Sequence, residues 1–405
     1  MKKNTDLVIG LQWGDEGKGK IVDLLLSKNK YDIVIRANGG NNAGHSIKVG
    51  DNEFAVHSLP SGMLQDTVNI IGPGCVVNPE AIIEEIKSLG SFLKGTLIIS
   101  DKCPLILRKH IEEDKAQEIL KGVNSIGTTL KGIGPAYADL KNRTAVFAGD
   151  LNNIEKAMLK FQYLNEKEIS QLREELTSYK ALIGKYVESI SYRIRRAKKI
   201  LIEGAQATML DNLYGTYPYV TSSSTIVSGL LMGSGLNHSN VNKVYGVTKM
   251  YSTRVGNGPF ITEMDKLTAK KVRHIGKEVG VSTGRERRCG WIDLVQLNEA
   301  ILLNGVTDLC LIKSDVLDSF KSIKICTNYI TENKDMLDYI PYDQDNLMPL
   351  YQIVNGWEAN TYGKIFTRES MPKRLLEIIT YIEYKLSTKV TYLSTGPERN
   401  QTMVL

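Results

Sequence analysis

The sequence predicts an α/β fold in which a large, mostly parallel central sheet is flanked by helices. Three observations carry this. Short β-branched runs recur along the chain, each bounded by glycine or turn residues. Several are apolar almost throughout, which suits strands covered on both faces. Segments with apolar residues at helical spacing lie between them, and strands that alternate with helices build parallel sheets. A chain of 405 residues with 42% hydrophobic and 24% charged residues can bury such a core without staples.

In chain order, strands are expected at Asp6–Leu11, Asp32–Ala37, Asn69–Ile71, Thr96–Ser100, Ile200–Glu203, Lys243–Val247, Asp308–Lys313, Ile323–Asn328 and Val390–Leu393. Helical patterns fall at Lys20–Ser27, Pro79–Leu89, Ile106–Lys121 and Arg374–Leu386. The stretch from Ile154 to Lys199 is rich in Glu, Lys, Leu and Ser with helical spacing, and reads as two or more helices inserted between strands, near 152–199. Its basic end, Arg193 to Lys199, reads as a solvated helix terminus. No internal repeat, low-complexity segment or Pro-rich linker divides the chain, so one domain spanning 1–405 with this helical insertion is expected.

Composition narrows the function classes. Lys and Arg number 51 against 45 Asp and Glu, a net charge of +6 that suits anionic substrates and, without a long basic tract, gives no reason to expect a nucleic-acid partner. No run approaches the roughly 20 apolar residues of a membrane span, and the N-terminus lacks a signal-peptide pattern. The 5 cysteines, Cys75, Cys103, Cys289, Cys310 and Cys326, are scattered, as reduced cytoplasmic thiols would be. With only 5 histidines, a histidine-rich metal site is not expected.

The most informative segment runs from Gly10 to Lys20, between an apolar strand and an apolar-periodic helix. Gly14, Gly17 and Gly19 let the backbone approach an anion closely, and the helix N-terminus offers free N–H groups to it. Lys18 and Lys20 add positive charge. Gly14 to Lys20 fits the G-x-x-x-x-G-K pattern, but Ile21 stands where a P-loop needs Ser or Thr to hold magnesium. Asp15 inside this loop suits a metal ligand or a proton acceptor. A second loop, Asn38 to Ser46, follows the next strand and carries His45, a candidate acid or base at another strand exit. Ligands of open α/β sheets bind at such exits.

These residues resemble one family. Gln12–Lys20 with Asn42–His45 is similar to the adenylosuccinate synthetases, and further blocks agree in order: Ile126–Thr129, Gly132–Tyr137, Glu203–Gln206, Gly215–Ser223, Tyr251–Gly256, Ser282–Arg285, Arg287–Trp291, Lys313–Asp318 and Ser394–Pro397. The resemblance implies a P-loop-like GTP-binding architecture and a homodimer. It also implies a two-step reaction, the first committed step from IMP to AMP. GTP phosphorylates the 6-oxygen of IMP, and the amino group of L-aspartate then displaces that phosphate, giving adenylosuccinate, GDP and phosphate.

Carried over by position, the resemblance makes Asp15 the base that takes the N1 proton of IMP, and His45 the donor to the phosphate bridge as GDP leaves. Gln206 touches the base near the reacting oxygen. Magnesium takes Asp15 and the Gly44 carbonyl, hard oxygen ligands suited to that ion. The GTP site comprises Gly14, Asp15, Glu16, Gly17, Lys18, Gly19, Lys20, Gly44, His45, Ser46, Arg287, Lys313, Ser314, Asp315, Ser394, Thr395 and Gly396. IMP is held by Asp15, Glu16, Gly17, Lys18, Asn42, Ala43, Gly44, His45, Thr129, Gln206, Thr221 and Arg285, with Arg143 reaching the IMP phosphate of the neighbouring subunit. L-Aspartate is held by Val281, Ser282, Thr283, Gly284, Arg285, Glu286 and Arg287.

Two of these blocks also speak through their own chemistry. Lys313-Ser-Asp315 ends an apolar strand, and a carboxylate there accepts both N1–H and N2–H of guanine, a donor pair adenine lacks. Val281 to Arg288 packs three arginines into one polar loop, and guanidinium forks hold carboxylates bidentately. Glu286 stands where relatives often carry proline or another basic residue. The nearest alternative is the phage-type relative that joins aspartate to dGMP, against which retention of Asp15 counts. A nucleic-acid-binding regulator and a plain P-loop GTPase are disfavoured by the Asp15–His45 combination and by Ile21 respectively.

Overall fold

The computed structural model describes residues 4–49, 52–122, 125–280 and 284–405. Among them, ten strands form one central sheet. In chain order these are β1 (Asn4–Gly10), β2 (Ile33–Arg36), β3 (Val68–Ile71), β4 (Thr96–Ser100), β5 (Val187–Glu188), β6 (Lys199–Glu203), β7 (Val241–Lys249), β8 (Asp308–Ile312), β9 (Val390–Ser394) and β10 (Thr402–Val404). Across the sheet the order is β10-β9-β8-β7-β1-β6-β2-β3-β4-β5. Every neighbouring pair is parallel except β9–β10.

The apolar runs work as expected for a sheet covered on both faces. Leu7 and Ile9 of β1 join Ile33, Ile35, Ile200 and Ile202 in the larger core. The intervening Val8, with Val34 and Leu201, packs on the other face against Ile21, Val22 and Leu25 of the helix α1 (Lys18–Lys28). Period-two side-chain alternation thus feeds two cores from one strand. Because β1 to β9 are parallel, their carboxyl ends lie along one edge, with β1 near the centre of the sheet.

The expected helices and central strands are present with boundaries displaced by a few residues. One strand belongs elsewhere. Ile323–Asn328 lies within Ser322–Ile330, in a separate sheet, antiparallel to Met348–Asn355. Its buried Ile323 and Ile325 flank a partly exposed Lys324, the alternation of a strand with one wet face. The helices Val227–Ser234 and Leu294–Asn304 carry apolar residues on most sides, so no amphipathic stripe announced them. Within the 152–199 stretch lie the helices Ile154–Met158, Glu166–Ile183 and Ser191–Arg196, together with β5. Met158, Phe161, Leu172, Leu176, Tyr179 and Ile183 pack there onto residues of β3 and β4.

Candidate active site

The loop leaving β1 takes its shape from backbone conformations that few side chains allow. Gly14 and Gly17 have φ of 92° and 91°, and Gly17 is the N-cap of α1. Among the described residues no side chain caps that helix, so its first N–H groups remain available to an anion. Gly19 is required for a different reason: a Cβ there would meet His45 Cβ at 3.0 Å and Ser61 Oγ at 3.2 Å. Several non-glycine residues in or beside the candidate site also have positive φ, among them Asp15 at 60°, Gln206 at 57° and Lys313 at 61°. Each such conformation costs about 1–3 kcal/mol, and strain of this kind gathers at functional sites.

Asp15 and Glu16, adjacent in the loop, face different ways. Glu16 is fully buried and accepts from the backbone N–H of Gln12 (3.2 Å) and Gly14 (2.8 Å), with Lys18 Nζ at 2.7 Å. Its carboxylate braces the loop. Asp15 is partly exposed and points into the cleft, where its Oδ2 takes the Arg287 guanidinium through Nε at 2.9 Å and a terminal nitrogen at 2.7 Å.

His45 is the first residue of a strand, His45–Val49, paired with Asn52–Val56, and is only 4% exposed. It is held by the tertiary structure more firmly than its glycine-rich surroundings suggested. Its Nδ1 hydrogen-bonds Glu203 at the end of β6, and Glu203 also accepts from the backbone N–H of Ser61 at 2.7 Å. Burial pulls the His45 pKa down, outweighing the pull of Glu203 in the other direction. Burial would raise Glu203, but His45, Arg36 and Ser61 together hold it below the usual carboxylate value. The free imidazole is therefore neutral with its proton on Nδ1, while the buried Nε2 has no hydrogen-bond partner among the described residues. Glu203 opens the block Glu203–Gln206, and nothing in its local sequence marks it as His45's partner.

Asp15, Lys18, Asn42, Ala43, Gly44, His45, Thr129, Gln206 and Thr221 all line one cleft of about 300 Å³. Asn42 Oδ1 accepts from Gln206 Nε2 at 3.1 Å, and Asn42 Nδ2 donates to Thr221 Oγ1 at 3.4 Å, so three polar residues from three loops are mutually braced. Gln206 Oε1 is buried without a partner among the described residues. The Thr129 loop is held by the helix Arg108–Lys121: Glu118 accepts from the Gly127 N–H at 2.9 Å and Asp114 from the Gly132 N–H at 2.9 Å. Arg254, absent from the sequence-derived set, also lines the cleft. It is buried above Trp13, and burial followed by the nearby Arg288 lowers its pKa to about 9.

A second group gathers at the exits of β8 and β9. Lys20 Nζ donates to Ser394 Oγ and the Gly396 carbonyl, both at 2.5 Å, and Ser314 Oγ donates to the Ser394 carbonyl at 3.0 Å. Thr395 Oγ1 donates to the Lys364 carbonyl at 2.8 Å. Asp315 keeps one buried carboxylate oxygen without a partner among the described residues, and burial raises its pKa to about 6. Burial likewise lowers Lys20 to about 7, against the pull of Asp315 and Glu398.

The remaining expected residues are dispersed. Ser46 follows His45 in the hairpin, and Arg143 is exposed at the end of the helix Ile133–Asn142, away from the cleft. Gly284, Arg285 and Glu286 are exposed; Arg285 donates to the Gly127 carbonyl at 3.3 Å, and Glu286 pairs with Arg273 at 3.4 Å. Val281, Ser282 and Thr283 lie outside the described residues. Arg287, by contrast, is buried. Burial alone would lower its pKa, but Asp15 and Glu278 raise it.

Known proteins share this sequence and fold. The family model for adenylosuccinate synthetase matches residues 7–403. The chain is 42% identical to the adenylosuccinate synthetase of Wolinella succinogenes, over 98% of this chain and 99% of that one. It is likewise 42% identical to that of Phocaeicola vulgatus, over 98% of each. The solved structure of fully ligated adenylosuccinate synthetase from Plasmodium falciparum superposes with a TM-score of 0.91 at 34% identity, covering 99% of this chain and 100% of that one. The cyanophage S-2L succinoaminodeoxyadenylate synthetase, bound to dGMP and dATP, shares the fold at a TM-score of 0.68 and 20% identity, covering 100% of this chain and 96% of that one. The chain belongs to the adenylosuccinate synthetase family, GTP-dependent ligases that join L-aspartate to IMP to form adenylosuccinate.

Proposed function

We propose that this chain carries out the ligation through a 6-phosphoryl-IMP intermediate, with Asp15 as general base and His45 as donor to the phosphate bridge. The observation that carries the reading is the convergence of Asp15, His45, Asn42 and Gln206 on one cleft. A purine 6-oxo group is a poor leaving group. When the Asp15 carboxylate takes the N1 proton of IMP, electron density moves to O6, which attacks the γ-phosphorus of GTP as the bond to GDP breaks. The aspartate amine then attacks C6, phosphate departs, and the amine gives up a proton.

His45 Nε2 accepts rather than donates in the neutral, Nδ1-protonated ring. A polyanionic phosphate beside it, with the ionised Glu203 behind it, favours the imidazolium, which donates to the bridging oxygen as charge develops there. Gln206 and Asn42 orient the purine. The cationic fork of Arg287 suits the carboxylates of L-aspartate, and its transfer to the substrate would release Asp15 Oδ2.

The donor set fits magnesium, which binds through one or two carboxylates together with substrate phosphates. Asp15 and the Gly44 carbonyl are hard oxygens on the same cleft. When bound there, the ion would neutralise charge on the transferring phosphoryl group. Asp315, with an unpartnered oxygen at the β8 exit, would read guanine, and Lys18, Lys20 and the open N-terminus of α1 would hold the phosphates. The reading further takes the chain as one cytoplasmic domain that forms a homodimer, with exposed Arg143 reaching the partner's IMP phosphate.

An ultraviolet assay of product formation with IMP, GTP, L-aspartate and magnesium tests the scheme, with dGMP and ATP as substitutes. Turnover requiring IMP, GTP and aspartate together is expected. Turnover with dGMP alone would move the chain to the phage-type branch.

A further inference from the structure

Glu278 takes no part in the scheme above, yet its fully buried carboxylate collects three cations. It lies just beyond the helix Lys266–Gly276. Its Oε2 accepts from Lys249 Nζ at 2.9 Å and from a terminal nitrogen of Arg287 at 2.5 Å. Its Oε1 accepts from Lys313 Nζ at 2.7 Å and from the Tyr251 hydroxyl. The Arg287 backbone N–H also donates to the Glu278 carbonyl at 3.1 Å. Burial alone would raise the Glu278 pKa, but Lys249, Lys313 and Arg287 hold it far below the usual carboxylate value. The charge is therefore permanent at any working pH.

The two cations beside Lys249 belong to different parts of the active centre. Arg287 reaches Asp15 with the rest of its guanidinium, while Lys313 opens the turn that presents Asp315. Lys313 sits in a left-handed conformation that needs tertiary support. One carboxylate thus orients both a residue of the aspartate loop and a residue of the guanine-reading turn. Removing it would leave buried cations without their shared counter-ion and free both side chains to turn.

We propose that Glu278 is a positioning residue that sets Arg287 for L-aspartate and Lys313 for GTP together, so that the two substrates share one buried anchor. The proposal rests on the reading that those residues serve those substrates. It predicts a specific kinetic pattern, since most residues assigned to IMP, among them Asn42, His45, Thr129, Gln206 and Thr221, lie on loops to which Glu278 makes no hydrogen bond among the described residues.

The test is steady-state kinetics of the full-length enzyme and its Glu278→Asp and Glu278→Gln variants, with circular dichroism of each. Tyr251→Phe, which removes a neutral donor and keeps the charge, is the control. Glu278→Asp keeps the charge but is one methylene too short to reach both partners, so it is expected to fold. In both Glu278 variants, KM for L-aspartate and for GTP should rise together by about tenfold, with KM for IMP within about threefold and Tyr251→Phe near wild type. If Glu278→Gln fails to fold, Glu278→Asp decides. Unchanged KM values in the folded variants, or an equal rise for IMP, would overturn the proposal. Absence of turnover in the wild type with IMP, GTP and L-aspartate would overturn the underlying reading instead.

Discussion

Asp15 and Arg287 stand 272 positions apart in the chain, yet a single oxygen of the Asp15 carboxylate takes two nitrogens of the Arg287 guanidinium, at 2.9 and 2.7 Å. The pair brings the glycine-rich loop after β1 and the arginine-rich loop together. The guanidinium occupies that oxygen until it turns to another anion. L-Aspartate brings two carboxylates to the cleft, so its arrival and the release of the base are linked in the proposed scheme.

Asp15→Asn should abolish turnover, by about 10³-fold or more, as removal of a general base from a reaction that depends on it would. The fold should survive, because asparagine tolerates the left-handed backbone that Asp15 adopts at φ 60°. Parallel measurement of kcat and Tm checks this. Near-normal turnover would remove Asp15 from its role.

Glu203→Gln should lower kcat by about 10- to 10²-fold while KM for IMP moves less than about threefold, since the amide still orients His45 but no longer stabilises its imidazolium. The side chain is fully buried, so circular dichroism must accompany the kinetics. A kcat within twofold of wild type would show that the His45–Glu203 contact serves packing alone.

GTP recognition should weaken in acid. Burial raises Asp315 from 3.8 to about 6, so the carboxylate is ionised above that pH and protonated below it. Only the ionised form accepts two N–H groups from guanine. KM for GTP should therefore be flat at neutral pH and climb as pH falls below about 6. In Asp315→Asn the climb should vanish, and preference for GTP over ATP should fall by about 10²-fold. The stability contribution has the opposite sense. The folded carboxyl holds its proton better than the unfolded one, so the stabilisation is present below pH 3.8 and lost as pH rises toward 6.

Chelation of magnesium should stop turnover and shift Tm of the ligand-free protein by less than about 1 °C, because an ion that does not bind the free protein tightly cannot stabilise it. The described residues hold no group of three or more His, Cys, Asp or Glu able to form a cage. A large Tm shift on chelation would reveal a protein-held metal.

The sequence by itself determined the alternation of strands and helices, the first strand and the glycine-rich turn behind it. These signals are local: β-branched runs, helical spacing and glycines at positions that need φ near 90° are written in adjacent residues. Asp15 and His45 were legible for the same reason, each following a strand in a loop of small residues. Only the tertiary structure decided that Glu203 partners His45, that Glu16 turns inward while Asp15 faces the cleft, and that Glu278 gathers Lys249, Arg287 and Lys313. It also moved Ser322–Ile330 out of the central sheet and buried Arg254 beside the cleft. Such pairings join residues from distant strands, and what selects them is the cost of burying a charge without a partner, which becomes visible only once the fold has removed the water.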